Sequence, residues 1–185
     1  GATNRPYETF DQMVEEIAIG FMKAGSLPHI DYYELNISCP NLINIQNIPE
    51  RFDTPTGLGA ILKQLSGIGL MKPVFIKMPL EKNLDEIRAL ADAAVPFPFI
   101  KGLILSNLAK DRSNPAFDRD EIATAGKGNF SGKPTEAKSN ELIKFAYAHY
   151  KNRFTIIGCG GVFTAEDAYR KIKLGASLIH MITGM

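Results

Sequence analysis

The fold class that this sequence predicts is α/β, a (β/α)8 barrel built on parallel strands, and three observations predict it. Short apolar runs of period two alternate along the chain with longer stretches carrying apolar residues every three or four positions, the signals of strands and of amphipathic helices. Strands and helices in alternation imply parallel pairing through right-handed crossovers. Groups able to bind or react stand at the C-terminal ends of all five strand runs, at Asn36, Lys77, Ser106 and Asn107, Gly160 and Gly161, and Thr183 and Gly184. An open doubly wound sheet concentrates such groups at one switch point, whereas a barrel spreads them over every strand end. A closed barrel of this type needs about 250 residues, and this chain of 185 shows five strands; the expectation is therefore part of a barrel.

In order, residues 7–23 place Phe10, Met13, Val14, Ile17, Ala18 and Phe21 on one helical stripe, with Glu15 and Glu16 on the wet side. In the strand that follows, Tyr33, Leu35 and Ile37 alternate with Glu34, Asn36 and Ser38, and Pro40 ends it because proline has no N–H to give a central ladder. Residues 41–54 have no period and the length of a lid loop over the strand end. Residues 56–66 are predicted as a helix, 74–78 a strand, 84–94 a helix and 101–106 a strand. The polar stretch 108–134 is too charged for a core element and is expected as an insertion over the active face. Residues 139–150 are predicted helical, 154–158 a strand, 164–174 a helix capped by Thr164 with Asp167 three positions on, and 177–182 a last strand.

Composition narrows the function. With 45% hydrophobic and 22% charged residues the chain is an ordinary globular one, and a net charge of +1 offers no field for capturing nucleic acid. No apolar run approaches the roughly 20 residues of a membrane span. Cys39 and Cys159 each follow an apolar strand and share no metal-like spacing, which suits reduced thiols in the cytoplasm.

Two places carry chemistry. Asn36-Ile-Ser-Cys-Pro-Asn41 crowds two amides and a thiol at one strand end, where the commoner roles are turn capping and a small buried hydrophobe. Gly158, Gly160 and Gly161 let backbone N–H groups approach an anion, and Thr164 opens a helix whose N-terminus favours negative charge; tight strand-to-helix packing would ask for the same glycines. Lys77, ending an apolar strand, would commonly just reach for water.

The hexapeptide Asn36-Ile-Ser-Cys-Pro-Asn41 resembles the active-site motif of the dihydroorotate dehydrogenases, FMN enzymes that oxidise dihydroorotate to orotate in pyrimidine biosynthesis. Segments similar to the family's follow in its order: Pro73-Val-Phe-Ile-Lys77, Leu105-Ser-Asn107, Asp111-Arg112, Phe130-Ser-Gly-Lys-Pro134, Ile156-Ile-Gly-Cys-Gly-Gly161 and Gly175-Ala-Ser-Leu178. The resemblance implies one partial FMN-binding catalytic domain over residues 1–185, holding about strands four to eight, with the first strands before Gly1. It implies Cys39 as the base that takes a carbon-bound proton while hydride passes to the flavin. Asn36, Asn41 and Asn107 would read the substrate, together with Leu108, where the family usually has Thr. Asn36, Lys77, Ser106, Gly132, Gly160, Gly161, Ile182, Thr183 and Gly184 would hold FMN.

Cysteine at the base position is the mark of the cytosolic class, which uses fumarate or NAD. Ser106-Asn-Leu-Ala-Lys-Asp-Arg112, Phe130-Ser-Gly-Lys-Pro134 and the ending Ile182-Thr-Gly-Met185 look more like the quinone-reducing branch, whose base is Ser. Asn129 and Ile182 depart from the usual Gly and Tyr, and the loop after Asn41 lacks the usual Pro-Gly. By overall likeness the expected acceptor is a quinone, with fumarate or NAD as the alternative, and the expected location is cytoplasmic or peripheral on the inner face of the cell membrane. Rival readings are a related flavin barrel acting on another pyrimidine, of the dihydropyrimidine dehydrogenase or dihydrouridine synthase type, and a non-catalytic phosphate-binding barrel.

Overall fold

The computed structural model describes residues 7–38, 48, 50–113, 115, 117–126 and 128–185. Five strands form one sheet in the order β1-β2-β3-β4-β5, and the chain divides into two compact units, Gly1–Lys77 with Asp85–Lys101, and Met78–Leu84 with Gly102–Met185.

In the first unit, α1 (Phe10–Gly25) starts where the Thr9 hydroxyl accepts the Gln12 N–H and buries Met13, Val14, Ile17, Ala18 and Phe21, the stripe read from the sequence. Phe21 stacks on Tyr33 of β1 (Tyr33–Asn36) with ring centroids 4.7 Å apart, which seats the helix against the strand. The helix α2 (Pro55–Ser66) is capped by Thr54 and carries Pro55 in its first turn, where no N–H is needed; Leu58, Ile61, Leu62 and Leu65 are buried. The strand β2 (Val74–Lys77) runs parallel to β1 with Tyr33 opposite Val74 and Asn36 opposite Lys77. The helix α3 (Leu84–Ala94) buries Ile87, Leu90, Ala91 and Ala94. Tyr33, Leu35 and Ile37 are buried as the period-two reading requires, but Ser38 is buried too, so the alternation ends with β1.

Most of β3 (Ile100–Leu105) belongs to the second unit, which continues with α4 (Arg119–Thr124), a 3-10 turn (Lys133–Thr135), α5 (Glu136–Tyr150), β4 (Thr155–Cys159), α6 (Ala165–Lys173) and β5 (Leu178–His180). Its strands are parallel, with Leu105 opposite Gly158 and Cys159 opposite His180. Leu142, Ile143, Ala146 and Tyr150 of α5 are buried, as are Ile156 and Ile157 of β4. The helix α6 begins in a complete capping box: Thr164 accepts the Asp167 N–H, and Asp167 accepts back from Thr164.

Two expectations needed correction. The helix expected from 139 starts at Glu136, because Pro134 occupies a 3-10 turn that leads straight into it. The last strand is shorter than 177–182, ending at His180, and Ile182 is 71% exposed. The polar stretch 108–134 supplies no core element, as its charge leads one to expect: the α4 that forms there on the Asp118 cap buries no residue and so has no apolar stripe to be read. That excursion is closed at its base by paired bonds between Ala109 and Phe130, N to O at 2.8 Å each way. Across it, the Arg112 guanidinium lies over the Phe130 ring and donates to the carbonyls of Ala125, Gly126 and Gly128.

Candidate functional site

In the first unit the strand ends carry a compact polar group. Asn36 and Lys77 are the last residues of β1 and β2 and stand opposite each other in register, while Tyr33, Leu35, Val74 and Ile76 are buried. The Lys77 ammonium does not reach for water: its side chain is 16% exposed and forms an ion pair with Glu34 Oε1 at 3.1 Å. Sequence reading had placed Glu34 only as an alternating polar residue; cross-strand register, invisible in one strand, makes it the partner. The Asn36 side-chain oxygen accepts the Ser38 N–H at 3.2 Å, so this amide shapes the turn that leads toward Cys39. Cys39 and Asn41 themselves lie outside the described residues, as does most of the expected lid at 41–54.

The second unit carries the rest. Ser106 follows β3 directly and its N–H donates to Cys159 O at 2.9 Å, which sets it beside the end of β4. Its hydroxyl is buried with no hydrogen-bond partner among the described residues. A buried orphan hydroxyl costs about 1–3 kcal/mol and is uncommon unless a ligand or water completes it. Asn107 accepts the N–H of Leu108 at 2.9 Å through its side-chain oxygen, again a turn-shaping bond.

After β4, Gly160 and Gly161 both have positive φ, and Cβ atoms there would stand 2.4 Å from Thr135 Oγ1 and 2.4 Å from Glu136 Cβ. The packing role weighed for these glycines is therefore real. Among the described residues no acceptor meets their amides, so the anion-binding role stays open to them as well. The helix N-terminus beside them is another matter: Asp167 accepts the amides of Phe163 and Thr164, and Thr164 accepts that of Asp167, so those three donors are consumed by the cap. Those backbone bonds, led by the one from Phe163, hold the Asp167 carboxyl below the usual carboxylate range.

Nearby charges are balanced rather than cationic. Glu136 bridges Lys133 at 2.5 Å and Arg170 at 2.9 Å, and the bond to Glu136 raises the Lys133 ammonium above its ordinary value. Any anion at this turn would be met by backbone rather than by a free cation. Gly132 is buried at positive φ, and Thr183 donates to Ser131 Oγ at 2.9 Å, which ties the segment before the 3-10 turn to the one after β5. Gly184 leaves no room for a side chain, since a Cβ there would sit 1.9 Å from Val162 O. Ser106, Gly132, Gly160, Gly161, Thr183 and Gly184 thus fall within one unit.

Sequence reading missed Lys171. It is fully buried on α6, donating to Ser139 and Asn140 of α5. The available signal was its spacing, four residues after Asp167 on the same inward face, but a lysine in a polar helix reads first as solvated.

A family model described as dihydroorotate dehydrogenase matches residues 7–185. Two similar proteins carry the description dihydroorotate dehydrogenase (quinone). The one from Trichodesmium erythraeum is 34% identical over 84% of this chain and 41% of its own length. The one from Verminephrobacter eiseniae is 35% identical over 87% of this chain and 45% of its own. The chain thus spans less than half of these relatives. Among solved structures, ligand-free DHODH from Eimeria tenella superposes with a TM-score of 0.80 at 22% identity over 99% of this chain and 52% of that one. A second structure of DHODH from that organism, in complex with ferulenol, gives 0.79 at 23% identity. The five parallel strands accordingly make a partial TIM barrel.

Proposed function

Because this chain belongs to the dihydroorotate dehydrogenase family, we propose that it is part of an FMN-binding catalytic domain that oxidises dihydroorotate to orotate in pyrimidine biosynthesis. The observation that carries the FMN assignment is the buried, unpartnered Ser106 hydroxyl beside the Gly160 and Gly161 turn, whose amides meet no acceptor among the described residues. A group that accepts from those amides and from that hydroxyl fits the residues present, and a flavin nucleotide offers both a phosphate and ring carbonyls.

In this reading Ser106, Gly132, Gly160, Gly161, Ile182, Thr183 and Gly184 hold the cofactor, with Lys77 and Asn36 from the other strand ends. FMN, when bound, supplies the hydride acceptor. The chain's own work is binding and proton movement. Asn36, Asn41 and Asn107 offer amides that both donate and accept, as the edges of a cyclic imide require, and Leu108 gives an apolar contact where a hydroxyl is usual. Cys39 takes the proton from carbon. A quinone is the proposed acceptor, in line with the names of the relatives and with the segments Ser106-Asn-Leu-Ala-Lys-Asp-Arg112 and Phe130-Ser-Gly-Lys-Pro134. The proposed location is cytoplasmic or peripheral on the inner face of the cell membrane; no helix among the described residues is long and apolar enough to cross a membrane.

The test is anaerobic mixing of the purified, FMN-loaded protein with dihydroorotate. Loss of the visible flavin absorbance within seconds is expected, and bound flavin that stays oxidised would leave a non-catalytic barrel as the reading. Ser106→Ala separates binding from folding. The flavin-free variant should be as stable as wild type or about 1 kcal/mol more so, because an orphan hydroxyl is gone, while FMN affinity falls. A loss of stability without loss of FMN affinity would show that Ser106 serves packing alone.

Lys77→Met should lower the flavin midpoint potential by on the order of 30 mV or more, a tenfold change for a two-electron couple, because a fixed positive charge that favours the reduced, anionic cofactor is lost. A potential equal to wild type in a variant that retains FMN would limit Lys77 to its pairing with Glu34.

A further inference from the structure

Lys171 is a fully buried lysine. Desolvating an ammonium costs several kcal/mol unless partners replace the water, and here they are specific. Its Nζ donates to Ser139 Oγ at 2.8 Å and to Asn140 Oδ1 at 2.9 Å. Ser139 Oγ in turn lies 2.9 Å from Leu105 O and 2.8 Å from Cys159 O. A hydroxyl has one proton, and with Lys171 on its lone pair that proton is left to the two carbonyls. Leu105 and Cys159 are the last residues of β3 and β4, and Cys159 O also receives the Ser106 N–H. Gly158 makes room for the lysine stem, since a Cβ there would stand 3.0 Å from Lys171 Cδ. The residues that follow the two held carbonyls are Ser106 and Gly160.

We infer that Lys171, acting through Ser139, is a positioning residue for the flavin-binding strand ends: it orients the hydroxyl that joins the ends of β3 and β4, and so places Ser106 and the Gly160 and Gly161 amides. The inference rests on the FMN reading above. The groups that face the ammonium are Glu136, Ser139 and Asn140 from α5, Cys159 from β4, and Asp167 and Arg170 from α6. Burial outweighs the favourable charges among them and pushes the ammonium down to about 8 from 10.5. The folded chain therefore binds fewer protons than the unfolded chain between these values, and the penalty, complete below pH 8, fades as pH rises toward 10.5.

The experiment is FMN titration of the flavin-free protein, followed by flavin fluorescence, in wild type, Lys171→Met, Ser139→Ala and the double variant. Met preserves the stem volume against Gly158 and Ala removes only an oxygen. Each single variant should bind FMN at least about 10-fold more weakly, and the double variant no more weakly than the worse single one, as expected of two residues acting in series. Two readouts do not need flavin. Amide exchange at Ser106 should be at least about 10-fold faster in either variant. Wild-type stability should climb relative to Lys171→Met between pH 8 and 10.5. Wild-type affinity and Ser106 exchange in either single variant would overturn the inference. If Lys171→Met does not fold, Ser139→Ala decides it. If wild type itself fails to take up FMN, the FMN reading is what fails, and Ser106 exchange still tests the coupling.

Discussion

Replacing Cys39 by Ala is expected to slow reduction of the bound flavin by dihydroorotate by on the order of 100-fold or more, the scale of a lost general base, with FMN binding unchanged. The reason is chemical. A free thiol ionises near pH 8.5, roughly, so a cysteine is partly thiolate near neutrality and accepts a proton directly. A serine must pass its own proton onward as it acts, so Cys39→Ser should keep part of the activity with a higher pH optimum. Stopped-flow mixing under anaerobic conditions reads this step apart from the electron acceptor. A Cys39→Ala protein that reduces its flavin at the wild-type rate would make the thiol a packing group.

Gly161→Ala should have the largest structural effect. Gly161 has a φ of +69°, and an added Cβ would lie 2.4 Å from Glu136 Cβ and 2.9 Å from its Cα, so the clash is with the body of α5 and no rotamer relieves it. A left-handed non-glycine residue costs about 1–3 kcal/mol and overpacking a similar amount. The flavin-free variant should therefore lose about 2–5 kcal/mol in denaturant unfolding, and FMN retention should be lost as the turn shifts. Wild-type stability in the variant would mean that α5 does not press on this turn in solution.

Much of the architecture was legible because its signals are local. The stripe of α1 appears in 10, 13, 14, 17, 18 and 21, and the cap of α6 in the spacing of Thr164 and Asp167; the cap formed as read, and the stripe is buried from Met13 to Phe21 with Phe10 half-buried where the helix starts. Strand ends were legible through the pleat and through the residues that stop it, so Asn36 and Lys77 fell on the final positions of β1 and β2. What escaped was register and burial of charge. Glu34 becomes the partner of Lys77 only because β1 and β2 pair with a particular offset, and Lys171 is buried because Gly158 and Ser139, far away in sequence, leave it space and an acceptor. Helix α4 escaped because it buries nothing, and without an apolar face a helix has no period to detect. Of the roles open to Asn36 and Asn107, turn shaping is the one observed: each side-chain oxygen accepts a nearby backbone N–H.

The paired bonds between Ala109 and Phe130 bear on how this family could diversify. Among the described residues the excursion is held at this neck and, through the amides of Lys110 and Asp111, at Glu81, so changes beyond those points need not be felt at the strand end below. For a flexible loop, doubling the contour costs only about 0.6 kcal/mol in closure entropy. Residues 110–129 are thus a place where evolution, or an engineer, could lengthen, shorten or replace sequence while the neck holds. Arg112 is the exception within it, since its guanidinium gathers three carbonyls of the excursion, and the amides of Lys110 and Asp111 must stay in reach of the Glu81 carboxylate that receives them. A transplanted loop would have to keep that arginine, or bring another means of closing on itself, to present a defined surface rather than an ensemble.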